Sequence, residues 1–511
     1  MSSDPAATLL AQRWSRWALA TIVVVSLLRL VVASRVGLGD AEAYYWVWSQ
    51  QLAGGYFDHG PLVAFLIRAG TWLFVADSTL AVRMPFVVLS AVTMFVVVSI
   101  ARRQLGATAQ GPFVGLLLLL SMPMFLIAGG AANPDVPFIL LVAAFIALSL
   151  KAVASAGRTV WVAAAGAALG LAFCAKFFAL LLLPALLFVA LRAPRRSLAV
   201  VAALTSATLF ALPPVMWNVA HGFPSLRYHF VERHTSGVGL SWANLGKLIG
   251  GQIGYVSPLV LPLMIAAIVV CWRRREQPQY ALLLRIALPL LGCGYLLILL
   301  VPSAEPHWPA AGYLPLLPVV ATMMPSWWRQ RRAVRWLVIG AVALSALLAA
   351  AFHTHVLSDA VVRLMPTSYQ PRFDLANELR GWPRVSKELR RLRLVYRRTR
   401  RPMLVAGCHY TVCSQLAFVA NRRFRVLCPS PRRDQFDYLH GGDGQQLRDV
   451  DLIYVRDELR FPFSAAELYR CGQLKEVGRL RIRRALRVVR RFAFELCLDF
   501  QGLRAQTWPP H

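Results

Sequence analysis

The chain has 511 residues, of which 57% are hydrophobic and 15% are charged, and it carries a formal net charge of +31. A soluble protein of this length needs more polar surface to cover its core, so the composition excludes an ordinary soluble enzyme. The positive charge would suit a nucleic-acid-binding protein, but in an apolar chain basic residues more often set membrane topology and meet anionic lipid head groups. The sequence therefore predicts an integral membrane protein.

Apolar runs occupy most of the chain up to about residue 353, and a helix needs roughly 20 apolar residues to cross the hydrocarbon core of a bilayer. On this criterion the sequence predicts about eleven transmembrane helices. They are predicted at residues 17–37, 80–100, 110–128, 135–152, 159–174, 177–192, 197–217, 250–271, 281–301, 309–325 and 335–353. The apolar segment 61–76 is shorter, and we expect an interfacial or re-entrant helix there.

The distribution of basic residues predicts the orientation of the chain. Arginine or lysine follows the even-numbered spans, for example Arg102 and Arg103 after the second, whereas the odd-numbered exits carry acidic residues, asparagine and histidine. Because basic loops stay in the cytoplasm, the N-terminus is predicted to lie inside and the end of the last span outside. No small-residue cleavage site precedes Asp40, so we interpret the first run as an uncleaved anchor and not as a signal peptide.

From residue 354 the sequence changes to an arginine-rich segment of mixed polarity. Short apolar runs at 404–407 and 451–455 predict buried strands, and residues 410–419 predict a helix between them. We therefore expect an all-α polytopic membrane protein with a small C-terminal α/β domain. Its transmembrane body is predicted to be residues 1–353 and its extracytoplasmic domain residues 354–511.

The predicted C-terminal domain contains five of the eight cysteines. If the domain is periplasmic, one or two disulfides are expected, with their pairing left open. Its many arginines do not contradict that location, because long domains translocate largely regardless of charge. The arginine-rich stretches 390–401 and 479–491 are interpreted as solvated or lipid-facing surfaces.

An outer loop at residues 38–79 follows the first predicted span and holds the first group of candidate functional residues. It contains two closely spaced carboxylates, an aromatic pair, and a second acidic residue followed by a histidine. These residues are Asp40, Glu42, Tyr44, Tyr45, Asp58 and His59. By itself the loop is equally well interpreted as a solvated segment whose aromatic residues anchor it at the membrane interface.

More polar residues are predicted near the same outer face. They are Arg83, Asp135, Lys176, His221, Arg233, His234, Glu305 and His307. Lys176 lies between apolar runs, where an unpaired ammonium is costly, so it requires an anion or a water-filled cavity unless the spans are misdivided and it reaches the inner surface. Simpler roles exist for others, since Arg83 could fix two helices, Asp135 could begin a helix and His221 could adjoin a C-cap. Together these side chains predict a site for a phosphorylated, membrane-held substrate.

Short motifs along the chain resemble the protein O-mannosyltransferase-like glycosyltransferases with the GT-C fold, whose bacterial branch includes the aminoarabinose transferase of lipid A. They are the first outer loop, Val82-Arg83-Met84-Pro85, Asn133-Pro134-Asp135, Ala175-Lys176-Phe177, His221-Gly222 with Arg233-His234, and Glu305-Pro306-His307-Trp308. The resemblance covers roughly residues 20–325 in order, with weaker similarity at 410–418 and 434–437.

The resemblance implies an inverting membrane glycosyltransferase. An Arg- and Ala-rich composition suggests a GC-rich bacterial source, so the expected location is the bacterial inner membrane. Such enzymes transfer a sugar from a polyprenyl-phosphate carrier, here expected to be of the undecaprenyl type, to an extracytoplasmic acceptor such as lipopolysaccharide or lipid A, another glycan or a protein. The family has an Asp-Glu pair where this chain has Ala41-Glu42, so the base is either Asp40 or Glu42. Asp58 matches the family's second acidic residue, although the family usually has proline where Gly60 stands.

The implied chemistry gives the candidate residues their roles. Asp40 or Glu42 takes the proton of the acceptor hydroxyl, a contribution of about 10²–10⁴-fold, and Asp58 completes the catalytic set. The other residues named above are expected to bind substrate, with Lys176 among the cations that meet the leaving phosphate. A divalent cation, Mg²⁺ or Mn²⁺, held by Asp58 is a further expectation, and no other cofactor is expected. If the acceptor is itself a phosphate, no base is needed.

Two other functions remain open at this point. A transporter or flippase for a lipid-linked or charged small molecule predicts ionisable residues near the middle of the membrane and broken helices in paired halves. A non-catalytic assembly subunit predicts that neutral substitution of the three carboxylates is tolerated. The carboxylates cluster in outer loops, which favours the transferase. The expected partners are the lipid-linked donor, the acceptor and membrane lipids, and not nucleic acid.

Overall fold

The computed structural model describes residues 5–108, 110–232, 237–365, 367–396, 401–421, 423–428, 433–439 and 449–504. The chain folds as two compact units. The first comprises Met1–Leu30, Ala53–Val63 and Met84–Ala350, and the second comprises Val31–Leu52, Ala64–Arg83 and Ala351–His511. The second unit therefore includes parts of the outer loop that the sequence analysis assigned to the transmembrane body, and the domain boundary at residue 353 stays a prediction.

Helices dominate the described residues. In chain order they are α1 Pro5–Arg35, α2 Asp40–Gln50, α3 Leu62–Leu73, α4 Thr79–Ser99, α5 Gly111–Leu120, α6 Pro123–Ile127, α7 Asp135–Ala154, α8 Thr159–Ala175, α9 Leu183–Leu191, α10 Arg196–Ala220, α11 Pro224–Phe230, α12 Trp242–Val256, α13 Leu261–Arg273, α14 Pro278–Leu300, α15 Leu317–Gln330, α16 Arg332–Leu357, α17 Ala360–Leu364, α18 Trp382–Val395, α19 Tyr410–Ala420 and α20 Ala465–Leu468. The strands are β1 Met403–Ala406, β2 Val426–Leu427, β3 Asp451–Asp457, β4 Tyr469–Arg484 and β5 Arg487–Leu503.

Within the described residues, six helices are long and apolar enough to cross a membrane, or up to eight spans if two sharply bent pairs are each counted as one. The six are Gln12–Arg35, Thr79–Gln104, Asp135–Ala154, Arg196–Ala220, Pro278–Leu300 and Arg332–Leu357. Each coincides with a span predicted from the sequence, so the chain is a multi-pass membrane protein. The expected count of eleven is not confirmed.

Proline and irregular backbone account for the difference in the number of spans. The predicted span at 110–128 bends by 84° between α5 and α6, and the span at 250–271 bends by 94° between α12 and α13. Pro123 lies at the first break, and a proline cannot continue the hydrogen-bond ladder of a helix. The region 159–192 is divided by an extended Lys176, which is followed by a 3₁₀ segment at Phe177–Leu182. The segment 61–76 contains only the short helix α3, with 12 residues.

Small residues allow close helix packing in the first unit. A Cβ on Gly166 or Gly170 of α8 would lie 2.3 Å from the carbonyl oxygen of Ala203 or Ala207 in α10, respectively. The two glycines therefore let the backbones of α8 and α10 touch, as small residues spaced four apart do in membrane helix pairs. This contact fixes the C-terminal end of α8, where Lys176 follows.

The C-terminal residues of the second unit form a five-stranded sheet with the strand order β2-β1-β3-β5-β4. β1 pairs in parallel with β2 and β3, whereas β3–β5 and β5–β4 are antiparallel. Ile453 and Val455 pack in one apolar cluster, and Leu452 and Tyr454 pack in another, as the alternation of side chains along a strand requires. The predicted α/β character of this region is therefore confirmed. The long β4–β5 hairpin was not expected, because its arginine-rich sequence was interpreted only as a surface.

Two disulfides hold this region. Cys413 of α19 pairs with Cys428, and Cys471 of β4 pairs with Cys497 of β5. The fifth cysteine of the domain, Cys408, is a buried free thiol, and burial raises its pKa to about 11. The expectation of one or two disulfides is therefore met by two.

Candidate active site

Two groups of polar residues contain half of the predicted site residues. The first, called here the carboxylate cluster, lies in the second unit and consists of Asp40, Glu42, Arg83, Glu378 and Arg460. The second, called the lysine–histidine cluster, lies in the first unit and consists of His59, Asp135, Lys176, His229 and His307.

The carboxylate cluster is built on the first turn of α2. Gly39 precedes the helix with extended backbone angles, and its N–H donates to Glu42 Oε2 over 2.8 Å. Asp40 and Glu42 both lie in the first turn, where a negative charge is stabilised by the helix dipole. The sequence Gly39-Asp40-Ala41-Glu42 thus encodes both the helix start and the placement of two carboxylates.

Glu42 is engaged by Arg83. The guanidinium donates from Nε to Oε1 over 2.7 Å and from a terminal nitrogen to Oε2 over 2.5 Å. It also donates to the backbone carbonyls of Val36 and Gly37 at the end of α1, over 2.9 and 2.6 Å. Arg83 and Glu42 are 6% and 7% exposed, so this is a buried bidentate ion pair. It joins α1, α2 and α4, the arrangement anticipated for Arg83 as a residue that fixes helices.

Asp40 has different partners. Arg460 donates to its Oδ2 over 2.6 Å and Gln415 donates to its Oδ1 over 3.1 Å. Burial raises the pKa of the Asp40 carboxyl, although the positive charges of Arg490 and Arg460 oppose that shift. A buried carboxylate with a raised pKa is the kind of group that can accept and release a proton near neutral pH.

Glu378 is a second carboxylate beside Asp40. Arg460 bridges the two, with its other terminal nitrogen 3.0 Å from Glu378 Oε1. Burial, together with the negative charge of Asp40, raises the pKa of Glu378 to about 6. The positive charges of Arg460 and Arg490 oppose this rise in the pKa of Glu378 but do not cancel it.

Tyr44 and Tyr45 are buried on α2 and do not line an open surface. The Tyr44 hydroxyl accepts a hydrogen bond from the backbone N–H of Gln435 over 2.7 Å, and its ring lies 4.7 Å from that of Tyr410. Both contact residues belong to the two C-terminal stretches that showed weak similarity to the family. The predicted role of the two tyrosines in substrate binding stays a prediction.

The lysine–histidine cluster forms where α8 ends. Lys176 follows the last residue of α8 in an extended conformation, and its Nζ donates to Asp135 Oδ1 over 2.6 Å. The other carboxylate oxygen of Asp135 lies 3.7 Å from His307 Nε2. His59 also interacts electrostatically with Asp135. Three residues predicted from separate loops are thus brought together around the carboxylate of Asp135, which was itself predicted.

The loop that carries Asp58 and His59 is fixed from several sides. The Tyr56 carbonyl accepts from the Ser225 hydroxyl over 2.9 Å, and a ring nitrogen of His229 is 2.7 Å from the Asp58 carbonyl. A Cβ on Gly60 would lie 2.2 Å from the carbonyl oxygen of Cys174. Only glycine permits this close approach, which gives a physical reason for the departure from the family's usual proline.

The remaining predicted residues lie apart from these contacts or outside the described part. His221 caps α10, where its Nδ1 is 2.7 Å from the Trp217 carbonyl. Glu305 is exposed, and it interacts electrostatically with Tyr255, whose ring lies 6.1 Å from that of His307. Arg233 and His234 lie outside the described residues. For all of these residues, the substrate-binding role stays a prediction.

Sequence reasoning missed several members of the site. Glu378 and Arg460 lie in a C-terminal region that offered no recognisable motif around them, and Arg460 is 420 residues from Asp40. Gln415 lies within the weakly similar stretch 410–418 but was not predicted as a site residue. His229 lies between His221 and Arg233 in the sequence, but it was not itself predicted as a site residue. Arg29 was overlooked in the first apolar run, although a charge within a membrane span is a signal for function or for buried polar contacts.

Arg29 contacts the bent helix pair α5–α6 in the first unit. It is 6% exposed and donates to Ser90 Oγ over 2.6 Å, to the Leu126 carbonyl over 3.1 Å and to the Phe125 carbonyl. It also lines a small cavity of about 30 Å³ together with Asp135. Arg29 thus compensates backbone carbonyls of α6, next to the break between α5 and α6.

The described part of the chain shows no cluster of ligands for the expected divalent cation. There, no group of three or more His, Cys, Asp and Glu side chains is arranged to hold a metal ion. The assignment of a metal to Asp58 is not confirmed.

Comparison with known proteins finds a matching family model and a similar protein. Residues 58–220 match the family model for dolichyl-phosphate-mannose-protein mannosyltransferase. The chain is 28% identical over 295 residues to the lipid A galacturonosyltransferase RgtD of Rhizobium johnstonii, and the alignment covers 56% of this chain and 59% of that protein. The chain thus matches about three fifths of the length of this relative.

Solved structures share the fold. ArnT from Cupriavidus metallidurans, bound to undecaprenyl phosphate, superposes with a TM-score of 0.61 at 16% identity over 94% of this chain and 98% of ArnT. The apo state gives a TM-score of 0.60 at 16% identity, covering 95% and 98% of the two chains. An oligosaccharyltransferase complex of Archaeoglobus fulgidus with Zn and sulfate gives 0.50 at 12% identity, covering 88% and 71%.

The family resemblance is confirmed. The chain has the ArnT-like GT-C fold, a helical membrane body with a small C-terminal sheet domain, as predicted. At these identities the structural likeness establishes the fold and leaves the substrate open.

Proposed function

We propose that this chain is a membrane glycosyltransferase that transfers a sugar from a polyprenyl-phosphate donor to a glycolipid acceptor on the extracytoplasmic side, with inversion. The observation that carries the proposal is the lysine–histidine cluster. A lysine, three histidines and a single carboxylate converge at a break between apolar helices, where an ammonium is costly unless it has a function or a fixed partner.

This cluster is suited to a phosphate. Asp135 neutralises Lys176 in the described structure, and the imidazoles of His59 and His307 add groups that can donate to phosphate oxygens. As the bond between the sugar and the phosphate breaks, the leaving group gains negative charge, and pre-placed donors stabilise that charge. A lipid-linked phosphate fits a site at a helix break in a membrane body, since its polyprenyl chain lies in the same apolar environment.

Asp40 is the better candidate for the base. Both carboxylates accept hydrogen bonds on both oxygens, Glu42 from one arginine and Asp40 from Arg460 and Gln415. Burial raises the pKa of Asp40, so we assign the base to Asp40 and a positioning role to Glu42. In the proposed step the acceptor oxygen attacks the anomeric carbon from the face opposite the phosphate. The bond between the anomeric carbon and the phosphate oxygen breaks, and its electron pair stays with the polyprenyl phosphate. The proton of the acceptor hydroxyl passes to Asp40. If the acceptor is a phosphate already ionised, Asp40 only positions it.

The comparisons support the substrate classes. The relative with the matching sequence is named a lipid A galacturonosyltransferase, and ArnT has been crystallised with undecaprenyl phosphate. We therefore propose undecaprenyl phosphate as the carrier and lipid A or a related glycolipid as the acceptor, with the sugar unassigned. A divalent cation held at Asp58 is kept as a prediction, and no step above depends on it.

The proposed location is a bacterial inner membrane with the N-terminus in the cytoplasm and the C-terminal domain in the periplasm. The alternation of basic and polar loops supports this topology. The two disulfides support it independently, since stable disulfides form in oxidising compartments.

The transporter hypothesis predicted broken helices, and two bent pairs are present. The chain shares the fold of ArnT over 94% of its length, which favours a transferase over a transporter. Transport therefore serves as the competing outcome of the experiment and is not a second proposal.

The test is sugar transfer by purified protein from a radiolabelled undecaprenyl-phosphate-sugar pool to lipid A in vesicles. Wild type is compared with Asp40→Asn and Lys176→Gln, and with Asp449→Asn and Lys151→Gln as controls of the same chemistry elsewhere. The proposal expects transfer by wild type and both controls, and a loss of about 100-fold or more for the two site variants. It is overturned if no donor is consumed from a panel of sugars while intact donor moves between leaflets.

A further inference from the structure

A surface next to the end of the last membrane span has no role in the proposed reaction. α16 ends at Leu357, and the turn between β4 and β5 folds back onto the residues that follow it. Arg484 donates to the Ser358 carbonyl over 3.0 Å and to Asp359 Oδ1 over 3.2 Å, and the Ala485 N–H donates to Asp359 Oδ2 over 3.1 Å. The hairpin tip is therefore fixed to the chain just beyond the span.

Large apolar side chains are exposed on this surface. Leu486, at the hairpin tip, is 91% exposed, and Leu364, Leu375 and Phe373 are 85%, 73% and 71% exposed. All four belong to segments tied to the end of α16, since Arg487 donates to the Met365 carbonyl over 2.5 Å and Asp374 is bound by His355 over 2.9 Å. Exposing several large apolar side chains to water is unfavourable, and an apolar patch of this kind usually marks an interaction site.

Basic residues accompany the apolar ones. Arg363 and Arg372 are exposed beside Leu364 and Phe373, and the Arg372 guanidinium lies 4.6 Å from the centre of the Phe373 ring. Apolar side chains flanked by arginines are typical of segments that lie in a bilayer interface, where the arginine stems lie along apolar surface and the charges meet head groups.

We propose that this interfacial patch (Leu364, Phe373, Leu375 and Leu486 with Arg363 and Arg372) docks into the head-group region of a leaflet that contains anionic phospholipid. The patch continues directly from a membrane span, so the bilayer surface is the nearest partner available to it. A second copy of this chain would present the same positive charge, which opposes self-association through the patch. The docked patch holds the C-terminal domain at the membrane, independently of whether the transferase activity proposed above is correct.

The experiment places an environment-sensitive NBD fluorophore on Leu486→Cys in the full-length protein, reconstituted in nanodiscs. Gln473→Cys is the matched control, since Gln473 is exposed on β4 roughly 35 Å along the strand from the tip. The unmodified chain gives the labelling background of its native cysteines. Nanodiscs contain phosphatidylethanolamine with phosphatidylglycerol, or phosphatidylcholine alone, each with and without a head-group nitroxide lipid.

The proposal expects blue-shifted emission at position 486 and quenching by the nitroxide lipid at least twofold stronger than at position 473. It also expects weaker quenching in phosphatidylcholine, and loss of the lipid preference when Arg363→Gln and Arg372→Gln are combined. Emission at 486 that matches the water-exposed control overturns the proposal. Blue-shifted emission without quenching by nitroxide lipid also overturns it, because the patch would then be covered by protein.

Discussion

Arg83 holds both carboxylate oxygens of Glu42, at 2.7 and 2.5 Å, while it also binds the carbonyls at the end of α1. The pair is buried, and its geometry is that of a structural fork. Glu42 matches the family's glutamate position by sequence, and the proposed function assigns it a positioning role and assigns proton transfer to Asp40.

We expect Glu42→Gln and Arg83→Met each to destabilise the protein by about 3–5 kcal/mol, because each leaves its buried partner uncompensated. The double variant should lose less than the sum of the two single losses. Thermal unfolding in detergent measures this. If Glu42→Gln unfolds like wild type and yet abolishes transfer, Glu42 is the base and the assignment to Asp40 is wrong.

The sequence predicted the fold where its signals were local. Six long apolar runs became membrane helices because length and hydropathy suffice to specify them. The region 159–192 was harder, since its break at Lys176 depends on α8 packing against α10 through Gly166 and Gly170. The hairpin β4–β5 was missed because alternating arginines on an exposed face conceal the apolar face of a strand.

The candidate site was predictable to the extent that motifs carry it. Asp135, Lys176 and His307 each stand out in an apolar background, and the structure brings them together. Glu378 and Arg460 do not stand out, because charged residues are common in their surroundings and only tertiary contacts bring them to Asp40. A single sequence carries no local pattern that predicts a contact between residues so far apart along the chain.

Glu378 predicts a dependence of stability on pH. Its pKa rises from an ordinary value of 4.5 to about 6, so the folded protein keeps a proton that the unfolded chain has released between those values. The stabilisation is therefore complete below pH 4.5 and is lost as the pH rises through 6, by about 2 kcal/mol. Glu378→Gln should flatten this change in unfolding free energy between pH 4.5 and 7. Glu276→Gln, in an exposed loop, should retain it, and equal slopes in both variants would contradict the assignment.

Lys176 and Asp135 predict a separation of stability from activity. Lys176→Met removes the ammonium 2.6 Å from Asp135 and leaves only the more distant imidazoles beside that carboxylate. It should therefore lower the free energy of unfolding by roughly 3 kcal/mol. Adding Asp135→Asn should recover most of that loss, because the carboxylate charge is then removed as well. Activity should stay at least 100-fold below wild type in the double variant, as expected for a lost phosphate-binding donor. Recovery of transfer together with stability would show that the pair is only structural.

The two disulfides lead to predictions about the free energy of unfolding and about the cellular compartment of the C-terminal domain. Cys471 and Cys497 are separated by 26 residues, and closing a loop of that length contributes about 3 kcal/mol in the chain-entropy model. Changing both to serine should lower the free energy of unfolding by that amount. Reductant should lower it further for wild type, because it also opens the Cys413–Cys428 disulfide. Mass spectrometry of membrane-extracted protein after alkylation should find four cysteines protected until reductant is added. Alkylation of all eight without reductant would contradict the periplasmic location.

Arg29 is expected to stabilise the bent span formed by α5 and α6. Its guanidinium binds Ser90 and the carbonyls of Phe125 and Leu126, which lie beyond the break at Pro123. Arg29→Leu removes these charge-assisted hydrogen bonds inside the membrane body and should lower the free energy of unfolding by roughly 2–4 kcal/mol. Arg35→Leu, an exposed substitution in the same helix, should lower it far less, and thermal unfolding in matched detergent distinguishes the two variants.

Because Arg29 and Asp135 line one cavity, Arg29→Leu should also raise KM for the donor. If stability falls while KM is unchanged, Arg29 stabilises the bend and does not contribute to donor binding.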